Sequence, residues 1–179
     1  YCPPVRDQGQ VGSCAGEGIG GMAYTVASMG AFAKEIYSPT WLYNGARDLQ
    51  GTLNQDSGAN PETIFQWATL YGLLFEHFWP YNPNQLDMNP PGSKRMKESI
   101  KYPSFQTVRV DNGVDGIMSA LAGKHCVAIG VPWPEEWMSY TGGTLPIPKS
   151  GSQVAGGHET FLFGYDQANK FLPGQNSWS

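Results

Sequence analysis

An α+β fold, with helices first and strands afterwards, is what this 179-residue chain predicts. Two observations carry the expectation. Before residue 73, apolar residues recur at spacings of three and four behind helix-starting residues. From residue 107 onward, short alternating or continuous apolar runs are separated by turn residues. There is no internal repeat and no low-complexity tract.

The first element opens at Gly12-Ser13, where a tight turn and an N-cap put Cys14 in the first helical turn. Behind it Ile19, Met22, Val26 and Met29 form one stripe expected to be buried. A thiol at the positive end of a helix dipole favours thiolate, and the helix terminus together with a His158 imidazolium is expected to bring Cys14 into the roughly 3.5–7.5 range of activated cysteines. The plainer alternative is a small buried hydrophobe. Ser38-Pro39 reads as an N-cap and N1 proline, with Leu42, Ala46 and Leu49 on one side and Gly51 as the stop. A polar loop from Gly51 to Ala59 follows. Asn60-Pro61 then opens a third helix carrying Ile64, Phe65, Ala68 and Tyr71, closed by Gly72. From Phe78 to Pro103 proline, asparagine and glycine dominate, which predicts an irregular connection.

Beyond it, Thr107–Val110 alternates like a strand and Asp115–Ala122 reads as a short helix stopped by Gly123. Cys126–Val131 is an apolar run of strand length, and Trp133–Val154 a long loop. His158–Tyr165 and Lys170–Asn176 read as two strands joined by a turn at Asp166–Asn169.

Composition narrows the function classes. Hydrophobic residues at 40% and aromatics at 13% require a packed core. A net charge of −4 with no basic cluster excludes a nucleic-acid footprint. No apolar run approaches the ~20 residues of a membrane span. Cys2, Cys14 and Cys126 make at most one disulfide, and no C-x-x-C pair offers a zinc ribbon or redox motif. No metal or cofactor is expected. Few cysteines and no Asn-x-Ser/Thr site favour a reducing or non-eukaryotic setting. Gly16-Glu17-Gly18-Ile19-Gly20-Gly21 matches a dinucleotide fingerprint literally, but no hydrophobic strand precedes it. Its glycines are expected to permit close helix packing instead.

Three residues can complete a nucleophilic set with Cys14. His158 follows Gly156-Gly157, Asn176 ends the next strand, and Gln8 lies shortly before the thiol. A thiolate, an imidazole, an amide to orient it and donors for an oxyanion suit acyl transfer. His125-Cys126 is read as part of a core strand with an inert thiol, and His77 as a lone histidine among aromatics.

These motifs resemble the papain-like (C1) cysteine peptidases. Gln8-Gly9-Gln10-Val11-Gly12-Ser13-Cys14 is similar to the family's Gln-Gly-x-Cys-Gly-Ser-Cys. Gly157-His158 with Gly164-Tyr165 resembles its histidine strand, and Asn176-Ser177-Trp178 its Asn-Ser-Trp. Asp56-Ser57-Gly58-Ala59 and Trp79-Pro80-Tyr81 resemble its substrate loop and Tyr-Pro-Tyr element. Cys14 and His158 are separated by the roughly 130–150 residues such a pair requires.

The resemblance implies a two-lobe fold, helical N-terminal lobe and antiparallel β-barrel-like C-terminal lobe, with the site between them. It implies one peptidase domain over residues 1–179, with a helical lobe at 1–105 and a β lobe at 106–179 expected to be C-terminally incomplete. Cys14 is implied as nucleophile, His158 as general acid/base, Asn176 as its orienter and Gln8 as oxyanion donor. Trp178 would shield the His158–Asn176 bond. Ser57, Gly58, Ala59, Ile129 and Gly157 would line a roomy substrate pocket for an apolar side chain. Partners implied are a peptide or protein substrate and a pro-segment or inhibitor, acting on a monomer. Alternatives are ligation or amide hydrolysis on the same scaffold, and a catalytically silent binding module. Val11 stands where many members carry a disulfide cysteine, as in disulfide-poor bacterial, archaeal and viral relatives. Ala15 replaces the aromatic that follows the nucleophile.

Overall fold

The element that positions everything else is a glycine-laced helix, α1 (Cys14–Met29), gripped from two sides. The computed structural model describes residues 1–30, 35–100 and 106–178. The end of the irregular connection and the boundary at residue 105 therefore lie outside the described residues. Against α1 pack α2 (Pro39–Gln50) and α3 (Pro61–Tyr71), followed in the chain by α4 (Ser93–Glu98) and by α5 (Gly113–Ala122), which packs on β1. Strands β1 (Val127–Pro134), β2 (Val154–Leu162) and β3 (Gly174–Gln175) form one antiparallel sheet in the order β1-β2-β3.

Local chemistry explains the helix ends. Ser38 Oγ accepts the Trp41 N–H and Gly51 closes α2 in the left-handed region at φ 70°. Asn60 caps α3 by accepting from Glu62 N–H. Ser13 does not cap α1, although the sequence leads one to expect it; its hydroxyl pairs with Tyr81 Oη at 2.6 Å.

The buried stripe of α1 also differs from expectation. Ile19 and Met22 are buried, but Val26 and Met29 are 44% and 40% exposed. The row that packs with α2 and α3 is Ala15, Ile19, Ala23 and Ala27, spaced by four and mostly small. Small residues let the helices approach closely. A Cβ added at Gly16 would lie 2.9 Å from Pro39 O, and one at Gly18 would lie 2.0 Å from Glu159 Oε2 on β2. The glycines thus serve packing on both flanks, against a cost near 1 kcal/mol each in helix propensity. Trp41, Leu42, Ile64, Trp67 and Leu74 fill the main core. A second cluster joins Leu121 of α5 to Val127 and Leu162.

The strands depart furthest from the sequence reading. Residues 106–110 pair with nothing described, and Val108 is 84% exposed. Strand β1 runs on through Pro132-Trp133-Pro134, residues expected in a loop. It is an edge strand, where a missing proline N–H is tolerated. Strand β2 starts at Val154, four residues early, with Gly156 and Gly157 opposite Trp133 and Pro132. Within the sheet only Gly174–Gln175 of the expected last strand is paired among the described residues. Pro173 interrupts it by lacking an N–H, although its carbonyl accepts from Phe163 N–H. The expected Asp166–Asn169 turn is present, closed by the Asp166–Phe171 bridge.

Candidate active site

At the start of α1, Cys14 is half-buried against β2. Burial pushes its thiol up from the ordinary value, against the expectation of a lowered one. The backbone N–H groups of Glu159, Ala15 and Cys14 itself pull the other way by favouring thiolate. The position at the helix terminus thus acts as expected, and desolvation outweighs it. Cys2 and Cys126 are free as well, and burial raises Cys126 to about 11. His125 is exposed outside the strand, whereas His77 stacks on Phe75, lies tilted against Phe78 and meets Glu35 at 3.5 Å.

His158 is 5% exposed on β2. Its Nε2 lies 2.7 Å from Asn176 Oδ1, which also accepts the Ser177 N–H at 2.7 Å. A carbonyl oxygen only accepts, so Nε2 carries the proton and Nδ1 is the basic nitrogen. Burial lowers the imidazole from its usual value, and the Asn176 bond opposes this. Trp178 stacks on the ring at 4.2 Å and 24°. Trp133 closes a second side edge-on at 4.7 Å and also meets Trp178 and Trp137.

Gln8 is buried and bonded to both Ser177 and Val11. Its backbone N–H donates to Ser177 O, its Oε1 accepts from Ser177 Oγ at 2.5 Å, and its Nε2 donates to Val11 O at 3.0 Å. One amide proton remains uncommitted by valence. The segment after Asn176 is thereby pinned to the loop before Cys14. Across that loop, Gly12 N–H donates to both Asp56 oxygens at 3.1 and 3.0 Å, and Tyr43 Oη–H donates to the same carboxylate at 2.5 Å. This polar clamp ties the loop before Cys14 to Ser57-Gly58, since Gly58 N–H donates to Tyr43 Oη.

The remaining expected pocket residues are less tightly grouped. Ser57 is exposed, Ala59 packs partly on the main core, and Ile129 packs with the Leu121–Val127–Leu162 cluster at α5. Gly157 has open space where a Cβ would stand. A cavity of about 380 Å³ lies elsewhere, between α2 and the 80–89 loop, lined by Tyr43, Asn44, Tyr81 and Leu86 among others.

The model of the papain family of cysteine proteases matches residues 1–179. The chain belongs to that family. An uncharacterized peptidase C1-like protein of Acanthamoeba polyphaga mimivirus is 28% identical over 184 residues, covering 96% of this chain. This chain spans 59% of that relative's length. Xylellain, a cysteine protease from Xylella fastidiosa, superposes with TM-score 0.89 at 24% identity, over 99% of this chain and 72% of that one. Digestive procathepsin L 3 from the Tenebrio molitor larval midgut gives 0.76 at 22% identity, over 99% and 57%. A Carica candamarcensis cysteine protease, in complex with E-64, gives 0.72 at 22%, over 99% and 78%. These likenesses establish a papain-like α+β fold.

Within this papain-family chain, sequence reasoning missed Trp133, Ser177 and Glu159. Trp133 was hidden because flanking prolines read as loop. Ser177 and Glu159 are neighbours of recognised motif residues, and their roles are visible only through contacts across the fold.

Proposed function

We propose that the chain is a cysteine endopeptidase working through Cys14, His158 and Asn176. The observation that carries the reading is the Asn176-held His158, with Nδ1 left basic beneath Trp178, next in β2 to Glu159, whose backbone N–H reaches Cys14. Burial drives each group to its neutral form when taken alone. Moving the thiol proton to His158 sets opposite charges side by side, and their attraction offsets desolvation.

The thiolate then attacks the scissile carbonyl carbon, forming the C–S bond. The oxyanion takes donors from the uncapped first turn of α1 and the remaining Gln8 amide proton. Collapse breaks the C–N bond, and the imidazolium gives its proton to the departing amine. Water attacks the thioester, His158 takes its proton, and the acid product leaves with the thiol restored. On this reading residues 1–179 act as one monomeric peptidase domain, its helical part at 1–105 and its sheet part at 106–179. Ser57 to Ala59, Ile129 and Gly157 are the proposed substrate walls, and Gly157 leaves room for an apolar side chain.

The test is labelling with E-64 together with a peptide substrate. The expected result is stoichiometric modification of Cys14, loss of cleavage in parallel, and none in His158→Ala. Modification without any cleavage supports a silent binding module. Transfer of the acyl group to an added amine in preference to water supports a ligase.

A further inference from the structure

Directly after His158, β2 buries a carboxyl group that the proposed mechanism does not use. Glu159 is 3% exposed, and neither of its oxygens has a hydrogen-bond partner among the described residues. Its side chain enters the seam between β2 and α1 where Gly18 leaves space. An unpaired charge in such a seam is strongly disfavoured, while a neutral acid is tolerable.

The ionisable groups around it are few. Strands β1 and β3 carry none, and β2 itself adds only His158. Helix α1 offers Cys14, Glu17 and Tyr24, and Glu17 is occupied by Arg6 at 2.8 Å. A Glu159 carboxylate acts on Cys14, opposing the thiolate, whereas His158 is governed by burial and Asn176.

We propose that Glu159 is a positioning residue acting on the nucleophile through charge. The half-buried Cys14 thiol and the buried Glu159 carboxyl stand at one α1–β2 seam that holds one negative charge, so Cys14 becomes thiolate only while Glu159 keeps its proton. Burial holds the carboxyl well above the usual carboxylate range, which keeps it protonated for this role. The Glu159 backbone N–H favours the thiolate while its ionised side chain opposes it. One residue thus both invites and limits the charge. The inference rests on Cys14 being the nucleophile, but its test reads protons rather than turnover.

Two titrations decide it. The first follows Cys14 alkylation by iodoacetamide against pH, resolved from Cys2 and Cys126 by mass spectrometry, in the wild-type chain and in Glu159→Gln. The second follows the infrared carbonyl band of the protonated Glu159 acid, identified by its loss in Glu159→Gln. It is recorded in the unmodified wild-type chain and after Cys14 is alkylated. Coupling is reciprocal, so one midpoint must fall by at least about one pH unit when the other group can no longer ionise. Which one moves depends on which group ionises first. If both midpoints stay in place, the inference is wrong. If Glu159→Gln folds poorly, the band is assigned in Glu159→Asp by its shifted frequency, and the infrared arm still decides on the wild-type fold. Loss of peptidase activity with a moving midpoint separates failure of the peptidase reading from failure of this one.

Discussion

At the scale of single residues, Gln8 carries two duties in one amide. It pins Ser177 and Val11 on one side and is proposed to donate to the oxyanion on the other. Gln8→Ala should therefore lower kcat by on the order of 10²–10³, the usual loss for one oxyanion donor, with KM little changed. It should also lower the unfolding temperature, since the buried Ser177 hydroxyl and Val11 carbonyl lose a partner. Ser177→Ala removes only the pinning contact. It should reproduce the stability loss while keeping kcat within about tenfold. Steady-state kinetics and thermal unfolding on both variants read the two effects apart. Equal kcat losses in the two would remove Gln8 from the oxyanion site.

Among the elements, α2 and α3 meet at Gly45, where an added Cβ would lie 2.1 Å from the Trp67 indole. Trp67 is 1% exposed and held between Trp41, which it meets edge-on, and the tilted ring of Tyr71, so it has nowhere to retreat. Gly45→Ala should cost about 1–3 kcal/mol in denaturant unfolding, whereas Gly51→Ala, with open space but φ 70°, pays only backbone strain. This contrast also marks what a sequence can disclose. The caps at Ser38 and Asn60 were legible because a side chain bonds backbone two or three residues away. Cys14 and His158 were legible through motifs in order. Strand extents were not, because Val108 alternates correctly and still has no neighbour to pair with among the described residues, while Pro132 and Trp133 pair because β2 passes beside them. The Glu159 seam was invisible for the same reason, being made by two elements far apart in the chain.

For the molecule as a whole, the N-terminal segment is tied in by Arg6, which bonds Glu17 of α1 and both oxygens of Glu76. Burial outweighs these partners and raises the Glu17 carboxyl to about 7. Its folded value lies above its unfolded one, so the folded chain holds the proton more tightly between about 4.5 and about 7. The stability this contributes is fully present below about pH 4.5 and is lost as pH rises through 7, a change on the order of 3 kcal/mol. Unfolding free energy measured across that window should fall with rising pH in the wild-type chain. The slope should flatten in Glu17→Gln, and an unchanged slope would refute the assignment.

The glycines of α1 bear on the order in which the chain assembles. A helix with Gly16, Gly18, Gly20 and Gly21 in its first half has little tendency to form by itself. It gains its shape only when α2 closes on one flank and β2 on the other. The thiol, its backbone donors and the imidazole thus come together late, after the bulk of the protein has condensed. A nascent or partly folded copy carries Cys14 in a frayed segment with no partner to activate it. On the proposed peptidase reading, such a copy is harmless to its neighbours, and reactivity arrives together with the resistance to cleavage that a finished core confers.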